Sequence, residues 1–390
     1  MKFRLGIIGT GGMGSCHLRN IMTRLTDDIQ ITALCDIEPE HMLRHKHYFE
    51  ENEVQFFENS NDLIHSGLVD GVLIATPHYD HPTISIEAFK AGLHVFCEKP
   101  AGVYTKKVRE MNEAAMAAGT AFQVNFVMRA TAPFIKIKEL IDAGEIGTPR
   151  RLTWIITNWY RTQNYYNAGG WRATWGGEGG GTLLNQNPHQ LDLLQWFVGT
   201  PKRVRGFCYF GKRREVEIED EATIYMEYEN GLTATYITCV SEFPGTNRLE
   251  IAGNKGKIVW ENDKITLWHS DITEEEFNAT TDTAAGPIPM ENQEFDIKAD
   301  IDLCQAKMVK NWVDAARYGT PLISPGFEGI NSLSISNAAY LSTWTDSWVE
   351  LPIDEDKFLN ELNRRIETST FVKKNVTERV VDASSTYTKS

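Results

Sequence analysis

Leu5-Gly6-Ile7-Ile8-Gly9-Thr10-Gly11-Gly12-Met13-Gly14 is the stretch on which the fold turns. Leu5 to Ile8 is a short apolar run, the pattern of a strand buried on both faces. It stops at a glycine cluster, and from Ser15 to Leu25 the apolar residues return at helical spacing. Strand, Gly-x-Gly-x-x-Gly and helix in that order form the setting of a dinucleotide site. Gly9 permits the tight turn and Gly11 lets the backbone approach a pyrophosphate. Gly14 lets the helix lie close to the strand, with Gly12 and Met13 completing the loop. The helix start offers N–H groups and a positive dipole end to phosphate.

A glycine loop alone is weak, and a similar loop in an unrelated α/β domain is the competing reading. The next strand supplies the second half of the signal. Ile31-Thr-Ala-Leu-Cys-Asp36 ends in an acid about 20 residues beyond Gly14, where a ribose 2′-hydroxyl ligand belongs. Asp36 repels a 2′-phosphate, and Ile37 and Glu38 follow it rather than arginine. NAD is therefore expected over NADP.

Composition narrows the class. The 390 residues suffice for two domains, with 42% hydrophobic and 24% charged residues, ordinary for a globular protein. A net charge of −14 argues against nucleic-acid or anionic-membrane partners. The six cysteines are scattered without Cys-x-x-Cys spacing and read as reduced thiols, so no metal site is expected. No apolar run reaches membrane-spanning length, and the first strand begins at once, so no leader peptide is expected and cytoplasmic is the default.

Strands and helices alternate through the first third. A polar helix is expected from Glu38 to Glu51, and strands at Val54–Phe57, Val69–Ala75, Gly92–Cys97 and Ala121–Phe126. Repeated βα units predict a doubly wound parallel sheet, whose ligands gather at the C-terminal strand ends. Asp36, Thr76 and Lys99 all fall there. Beyond Phe126 come helices at Pro133–Ala143 and Pro188–Phe197, then a run of strands from Arg203 to His269. Asn230-Gly231 and Gly253-Asn-Lys-Gly256 are hairpin signals. Helices are expected at Ile301–Tyr318 and Gly329–Thr345. The predicted fold is thus an α/β Rossmann domain over 1–126, and an α+β domain over 127–367 with a large, mainly antiparallel, open-faced sheet. Residues 368–390 read as a tail, or as an arm on another subunit.

Three places carry chemistry. Lys99, in Glu98-Lys99-Pro100, stands at a strand end beside the cofactor crevice, where its charged form is disfavoured and proton transfer near neutral pH becomes feasible. A lysine in a surface loop is the bland alternative. The second is Gly179-Gly-Gly-Thr-Leu-Leu-Asn185-Gln-Asn187-Pro188-His189-Gln190-Leu-Asp192. Asn187, Pro188 and Gln190 read as a helix start with a capping box. His189 then lies in the first helical turn, held neutral by the dipole. Asp192, three residues on, is placed to orient its ring. The third runs from Trp159 to Trp175 and contains Arg161, Tyr165, Tyr166, Trp171 and Arg172. Aromatic faces with Arg and Asn suit a sugar, although about half of these rings are expected in core or interface.

With these residues in place the chain resembles the glucose-fructose oxidoreductase/inositol dehydrogenase/rhizopine-catabolism (Gfo/Idh/MocA) family of NAD(P)-dependent oxidoreductases. The resemblance runs from Phe3 to about Pro352. It rests on the glycine loop, Asp36, Ala75-Thr76-Pro77 with His81, Glu98-Lys99-Pro100, Gly144-Glu-Ile-Gly147 and the glycine run leading to His189. It implies a catalytic pair of Lys99 and His189. It also implies a cofactor site that includes Thr76, Pro77, His78, His81, Glu98, Lys99 and Asn125. The family's aspartate four residues before the histidine is Asn185 here. An amide positions a hydroxyl but takes no proton, so acid–base work falls to Lys99 and His189. Trp171-Arg172 and the Asn185 to Asp192 segment look like a subgroup that includes glycoside and sugar 3-dehydrogenases.

The expected function is transfer of hydride from a secondary hydroxyl of a sugar, glycoside or cyclitol to NAD. Lys99, His189, Asn185 and Asp192 are the expected catalytic group. Lys99, Arg129, Arg161, Tyr165, Tyr166, Trp171, Arg172, Asn185 and His189 are the expected substrate ligands. The alternatives are an NAD-dependent, redox-neutral glycoside hydrolase and a non-catalytic NAD sensor. A homodimer or homotetramer is expected from the open sheet face.

Overall fold

The computed structural model describes residues 1–376. In the N-terminal third each apolar strand is followed by a helix that covers it. The elements are β1 (Phe3–Ile8), α1 (Gly12–Arg24), β2 (Ile29–Cys35), α2 (Pro39–Leu43), β3 (Gln55–Phe57) and α3 (Ser60–Ile64). They continue with β4 (Gly71–Ile74), α4 (Asp80–Lys90), β5 (His94–Cys97), α5 (Thr105–Ala118) and β6 (Phe122–Val124). All six strands are parallel, in the order β3-β2-β1-β4-β5-β6. The order reverses between β1 and β4, and this is where such sheets open a crevice at the strand ends. Leu5, Ile7, Leu73 and Phe96 are fully buried, as expected for strands covered on both faces.

A second sheet follows α6 (Ala132–Asp142). It is built from β7 (Pro149–Ile156), β8 (Arg203–Phe210), β9 (Glu219–Glu227), β10 (Thr233–Cys239), β11 (Asn247–Gly253), β12 (Gly256–Glu261), β13 (Lys264–His269), β14 (Glu291–Asp296) and β15 (Val349–Glu350). Their order is β14-β13-β12-β11-β7-β10-β9-β8-β15. Every pairing is antiparallel except β7 with β10. β9 and β10 meet at Asn230-Gly231, where Gly231 has φ +83°. Along β9 and β10 buried and half-buried residues alternate, so the sheet has one covered and one open face. The covered face lies under α6, α8 (Pro188–Val198) and α11 (Gly329–Thr345). α7 (Gln163–Asn167), α9 (Glu274–Thr280), α10 (Ile301–Tyr318) and α12 (Glu355–Glu367) complete the helices among the described residues.

Two expectations change, and two elements appear that the sequence pattern did not predict. The helix predicted over Glu38–Glu51 is only α2 and a 3₁₀ turn at Lys46–Tyr48, because few apolar side chains there have a core to face. β14 is a polar edge strand with mostly exposed side chains, so no apolar alternation announces it. α12 is a charged helix that buries only Phe358 and Leu362 and starts at the Asp354 cap. α10, expected with the second sheet, packs on the first: Met308, Val309, Trp312 and Val313 join Phe3, Leu5, Ile7 and Phe96 in one apolar cluster. Its position is pinned by Trp312 Nε1 to Ala121 O at 3.2 Å and Gln123 Nε2 to Met308 O at 2.9 Å.

Candidate active site

The ends of β1, β2, β4 and β5 open into a cavity of about 1080 Å³. That slightly exceeds the range of about 300–1,000 Å³ common for one small ligand. One end is formed by the glycine loop, Asp36 and Thr76–His78, the other by Lys99, Asn185 and the Trp159–Arg172 loop.

The glycine end fits NAD. Gly9 has φ +87°, and a Cβ there would stand 2.7 Å from the Ala75 carbonyl. A Cβ on Gly14 would stand 1.8 Å from the Gly9 oxygen, so the helix approaches the strand only because the side chain is absent. A Cβ on Gly11 meets nothing within 4 Å: that glycine guards open space rather than a packing contact. Gly11 begins α1 with no side-chain cap and no acid in the first turn, which leaves the N–H groups and dipole to a phosphate. Asp36 accepts from Thr10 N at 2.7 Å and Thr10 Oγ1 at 3.1 Å through Oδ2, and from Glu38 N at 3.0 Å through Oδ1. These bonds tie the acid to the loop while it still lines the cavity. His81 bridges Pro100 O (2.7 Å) and Thr76 O (2.9 Å), fixing the two strand ends relative to each other. His78 Nδ1 reaches Glu178 O at 2.9 Å.

Lys99 follows β5 on the peptide before Pro100. Its Nζ donates to Asn185 O at 2.8 Å and lies 3.4 Å from Asn185 Oδ1. Burial, only partly offset by Glu98, lowers its pKa to about 8. Glu98 is buried, which raises its pKa, but the bond and charge of His17 (2.5 Å), the Asn125 amide (2.7 Å) and Lys99 outweigh this and hold it at about 2. Asn125, expected at the cofactor, instead sits behind Glu98, with its amide also bonded to Gln305 Oε1 at 2.8 Å.

Asn185 is carried by a single π turn, Thr182–Gln186, which the sequence pattern did not predict. Such turns are rare and cluster at functional sites. Buried Glu219 on β9 holds its start, accepting from Gly181 N (2.7 Å), Leu183 N (2.8 Å) and the Tyr340 hydroxyl (2.7 Å). The expected capping box at α8 is absent. Asn187 instead donates to Thr182 Oγ1 at 2.8 Å and Thr238 Oγ1 at 2.5 Å, stitching the π turn to β10.

His189 stands in the first turn of α8 and is buried, close enough to Lys99 to feel its charge. Its pKa falls to about 3, from burial first and the Lys99 charge second. Asp192 does not orient it: the carboxylate is taken by Arg129, Nε to Oδ2 at 2.7 Å and Nη2 to Oδ1 at 2.6 Å. Arg129 is correspondingly removed from the expected substrate ligands, being 2% exposed and bonded also to Glu328. Tyr166 is removed as well: it is fully buried, ring-to-ring with Tyr165.

Arg161, Tyr165, Trp171 and Arg172 do line the cavity. The Arg172 guanidinium stacks on Trp171 (4.3 Å) and Tyr165 (4.6 Å), and its Nη1 donates to the Tyr165 hydroxyl at 2.9 Å. Arg161 lies 5.1 Å from the Tyr165 ring. The sequence reading missed Glu178, which is fully buried behind Asn185. It also missed the segment beyond α12, where Lys373 Nζ donates to Gly169 O at 2.5 Å and Val376 lines the cavity. The segment from 368, expected as a tail or an arm, lies at the cavity with Lys373 and Val376. Residues 377–390 lie outside the described residues.

A Rossmann cradle facing a half-buried lysine across one cavity defines a nicotinamide-dependent oxidoreductase. Residues 3–126 match the oxidoreductase family with NAD-binding Rossmann fold, and residues 134–259 match the GFO/IDH/MocA C-terminal domain. The chain belongs to this family and uses NAD as its cofactor. The uncharacterized oxidoreductase YrbE of Bacillus subtilis (strain 168) is 29% identical over 267 residues, 67% of this chain and 74% of that protein. Inositol 2-dehydrogenase of Rubrobacter xylanophilus is 28% identical over 198 residues, 50% of this chain and 52% of that protein. The chain thus spans about half to three quarters of the length of these relatives. The WlbA dehydrogenase of Chromobacterium violaceum, solved with NADH and UDP-GlcNAcA, matches with a TM-score of 0.77 at 25% identity, over 90% of this chain and 97% of that one.

Proposed function

We propose that the protein oxidises a secondary hydroxyl of a sugar, glycoside or cyclitol, with NAD as hydride acceptor. The observation that carries this reading is Lys99. Its ammonium is poised to lose a proton near pH 8, on the wall shared by the NAD cradle and the aromatic–arginine loop. The relatives named inositol 2-dehydrogenase and the WlbA structure with a nucleotide sugar support the substrate class.

When bound, the oxidised nicotinamide supplies the acceptor for the hydride leaving the carbinol carbon. Lys99 Nζ receives the hydroxyl proton as the carbon–oxygen double bond forms, and as an ammonium it stabilises alkoxide character on that oxygen. Asn185 positions Lys99 through its carbonyl and amide oxygens. His189, buried near Lys99, stays neutral and adds no competing charge. Arg161, Tyr165, Trp171 and Arg172 hold the ring and its other hydroxyls, and Asp36 holds the adenosine ribose. Residues 1–126 with α10 serve the cofactor, and 127–367 without α10 the substrate. The open sheet face is the surface for a second copy of the chain.

The test is absorbance of reduced nicotinamide with NAD and a panel of inositols, free sugars and glycosides. NADH formation that disappears in Lys99→Met is expected. Sugar release from a glycoside that requires NAD, without NADH accumulating, would replace this reading by the hydrolytic one. No turnover of either kind would remove both.

A further inference from the structure

Asn185 is an amide whose two ends have been told apart by their neighbours. Its Nδ2 donates to Glu178 Oε1 and lies 3.2 Å from the Tyr165 hydroxyl, while its Oδ1 faces Lys99 Nζ at 3.4 Å. Glu178 is fully buried, and its other oxygen, Oε2, accepts from Ala173 N at 2.7 Å. A carboxylate satisfies two donors at once; a glutamine in its place satisfies one and offers a donor to the other. We propose that Glu178 is the positioning residue of this centre: it sets the direction of the Asn185 amide, so that an oxygen and not an N–H faces Lys99, and it holds behind that amide the negative charge that an aspartate at 185 would supply directly. The inference rests on the proposed role of Lys99.

The charges around the pair agree with this assignment. Lys99 is faced by Glu98, Arg172, Arg161 and Glu178, and Lys99 acts in turn on His78 and His189. Glu178 is faced by Arg172, Lys373 and Lys99. Of the acids acting on Lys99, Glu98 is already bonded to His17 and Asn125, which leaves Glu178 as the carboxylate whose direction Asn185 transmits. Burial raises the pKa of Glu178, opposed by Arg172, the Ala173 N–H and the Asn185 amide, so its ionisation depends on those bonds remaining in place.

A donor–acceptor swap tests the proposal. In Glu178→Gln the new amide keeps its oxygen on Ala173 N and turns its NH₂ toward Asn185, which must flip and present N–H to Lys99. A fall in kcat of about 10- to 100-fold with KM nearly unchanged is expected. Asn185→Asp alone sets two carboxylates against each other and is slow as well. The double variant Glu178→Gln/Asn185→Asp pairs every group again, amide behind and carboxylate in front. It is expected to recover to within about fivefold of wild type. Singles that multiply to the double, or Glu178→Gln within about twofold of wild type, would overturn the proposal. A readout independent of any substrate is competitive acetylation of Lys99 against pH, followed by mass spectrometry in the full-length protein. The Lys99 titration midpoint is expected to fall in Glu178→Gln and to rise above wild type in the double variant. Unchanged midpoints refute the role of Glu178. Shifted midpoints in a protein that oxidises no sugar keep it and refute the proposed function.

Discussion

Arg129 and Asp192 face each other through two hydrogen bonds, 2.7 and 2.6 Å, with the arginine 2% exposed and the aspartate fully buried. Such a pair is costly to break, because the surviving arginine loses both of these bonds and keeps its buried charge with only Glu328 to face it. Asp192→Ala is expected to destabilise the protein by about 3–5 kcal/mol. Denaturant unfolding measures the loss, and kcat per folded molecule should stay near wild type. A fall in kcat at unchanged stability would return Asp192 to the catalytic group.

Gly11 and Gly14 separate cofactor space from packing space. Gly11→Ala adds a methyl where nothing lies within 4 Å, so the melting temperature should hold while the Kd for NADH, read by fluorescence titration, rises at least about tenfold. Gly14→Ala drives the methyl to 1.8 Å from the Gly9 oxygen and should lower both stability and affinity. Equal effects of the two on melting would contradict the assignment.

Asp36 acts both on the loop and on the cofactor. Asp36→Ala removes the acceptor for Thr10 and Glu38 and the repulsion toward a 2′-phosphate. Affinity for NAD should fall about 10- to 100-fold, and the ratio of NAD to NADP affinity should move toward unity. A preserved NAD preference would place selectivity elsewhere on the rim.

The pH profile follows from burial at Lys99. Its folded-state pKa is lowered to about 8, so the neutral, proton-accepting form grows as pH rises. For hydroxyl oxidation kcat/KM should climb about tenfold per pH unit below that value and level off above it; the reverse reaction should decline over the same range. His189, lowered to about 3, should contribute no limb near neutrality. A limb near pH 6.5 that vanishes in His189→Gln would move the base to the histidine.

The cofactor half was legible because its determinants are local. A glycine loop between a strand and a helix, and an acid at the next strand end, are read in order along the chain. Lys99 and Asn185 were found the same way, from their motifs. What failed is what depends on partners distant in sequence. Asp192 has helical spacing from His189, yet Arg129, 63 residues away, claims it. Tyr166 and Tyr165 are adjacent, and only the packing of the loop decides that one faces the cavity and the other the core. Glu178 sits in a run of glycines with no periodicity to mark it. The π turn at Thr182–Gln186 is held by Glu219 and Tyr340, neither of them near it in sequence.

Three bonds tie the two halves of the chain together: Lys99 Nζ to Asn185 O, His78 Nδ1 to Glu178 O and the Tyr79 hydroxyl to Trp175 O, at 2.8, 2.9 and 2.7 Å. Each donor is a side chain of the NAD-binding half, and each acceptor is a main-chain carbonyl of the other. A carbonyl is the same group whatever residue bears it. The loop opposite the cofactor can therefore exchange nearly all its side chains, and with them its taste in substrates, without losing its attachment. Chimeras that graft a relative's Trp159–Gln186 segment onto this chain should assemble a working centre wherever the backbone path is kept.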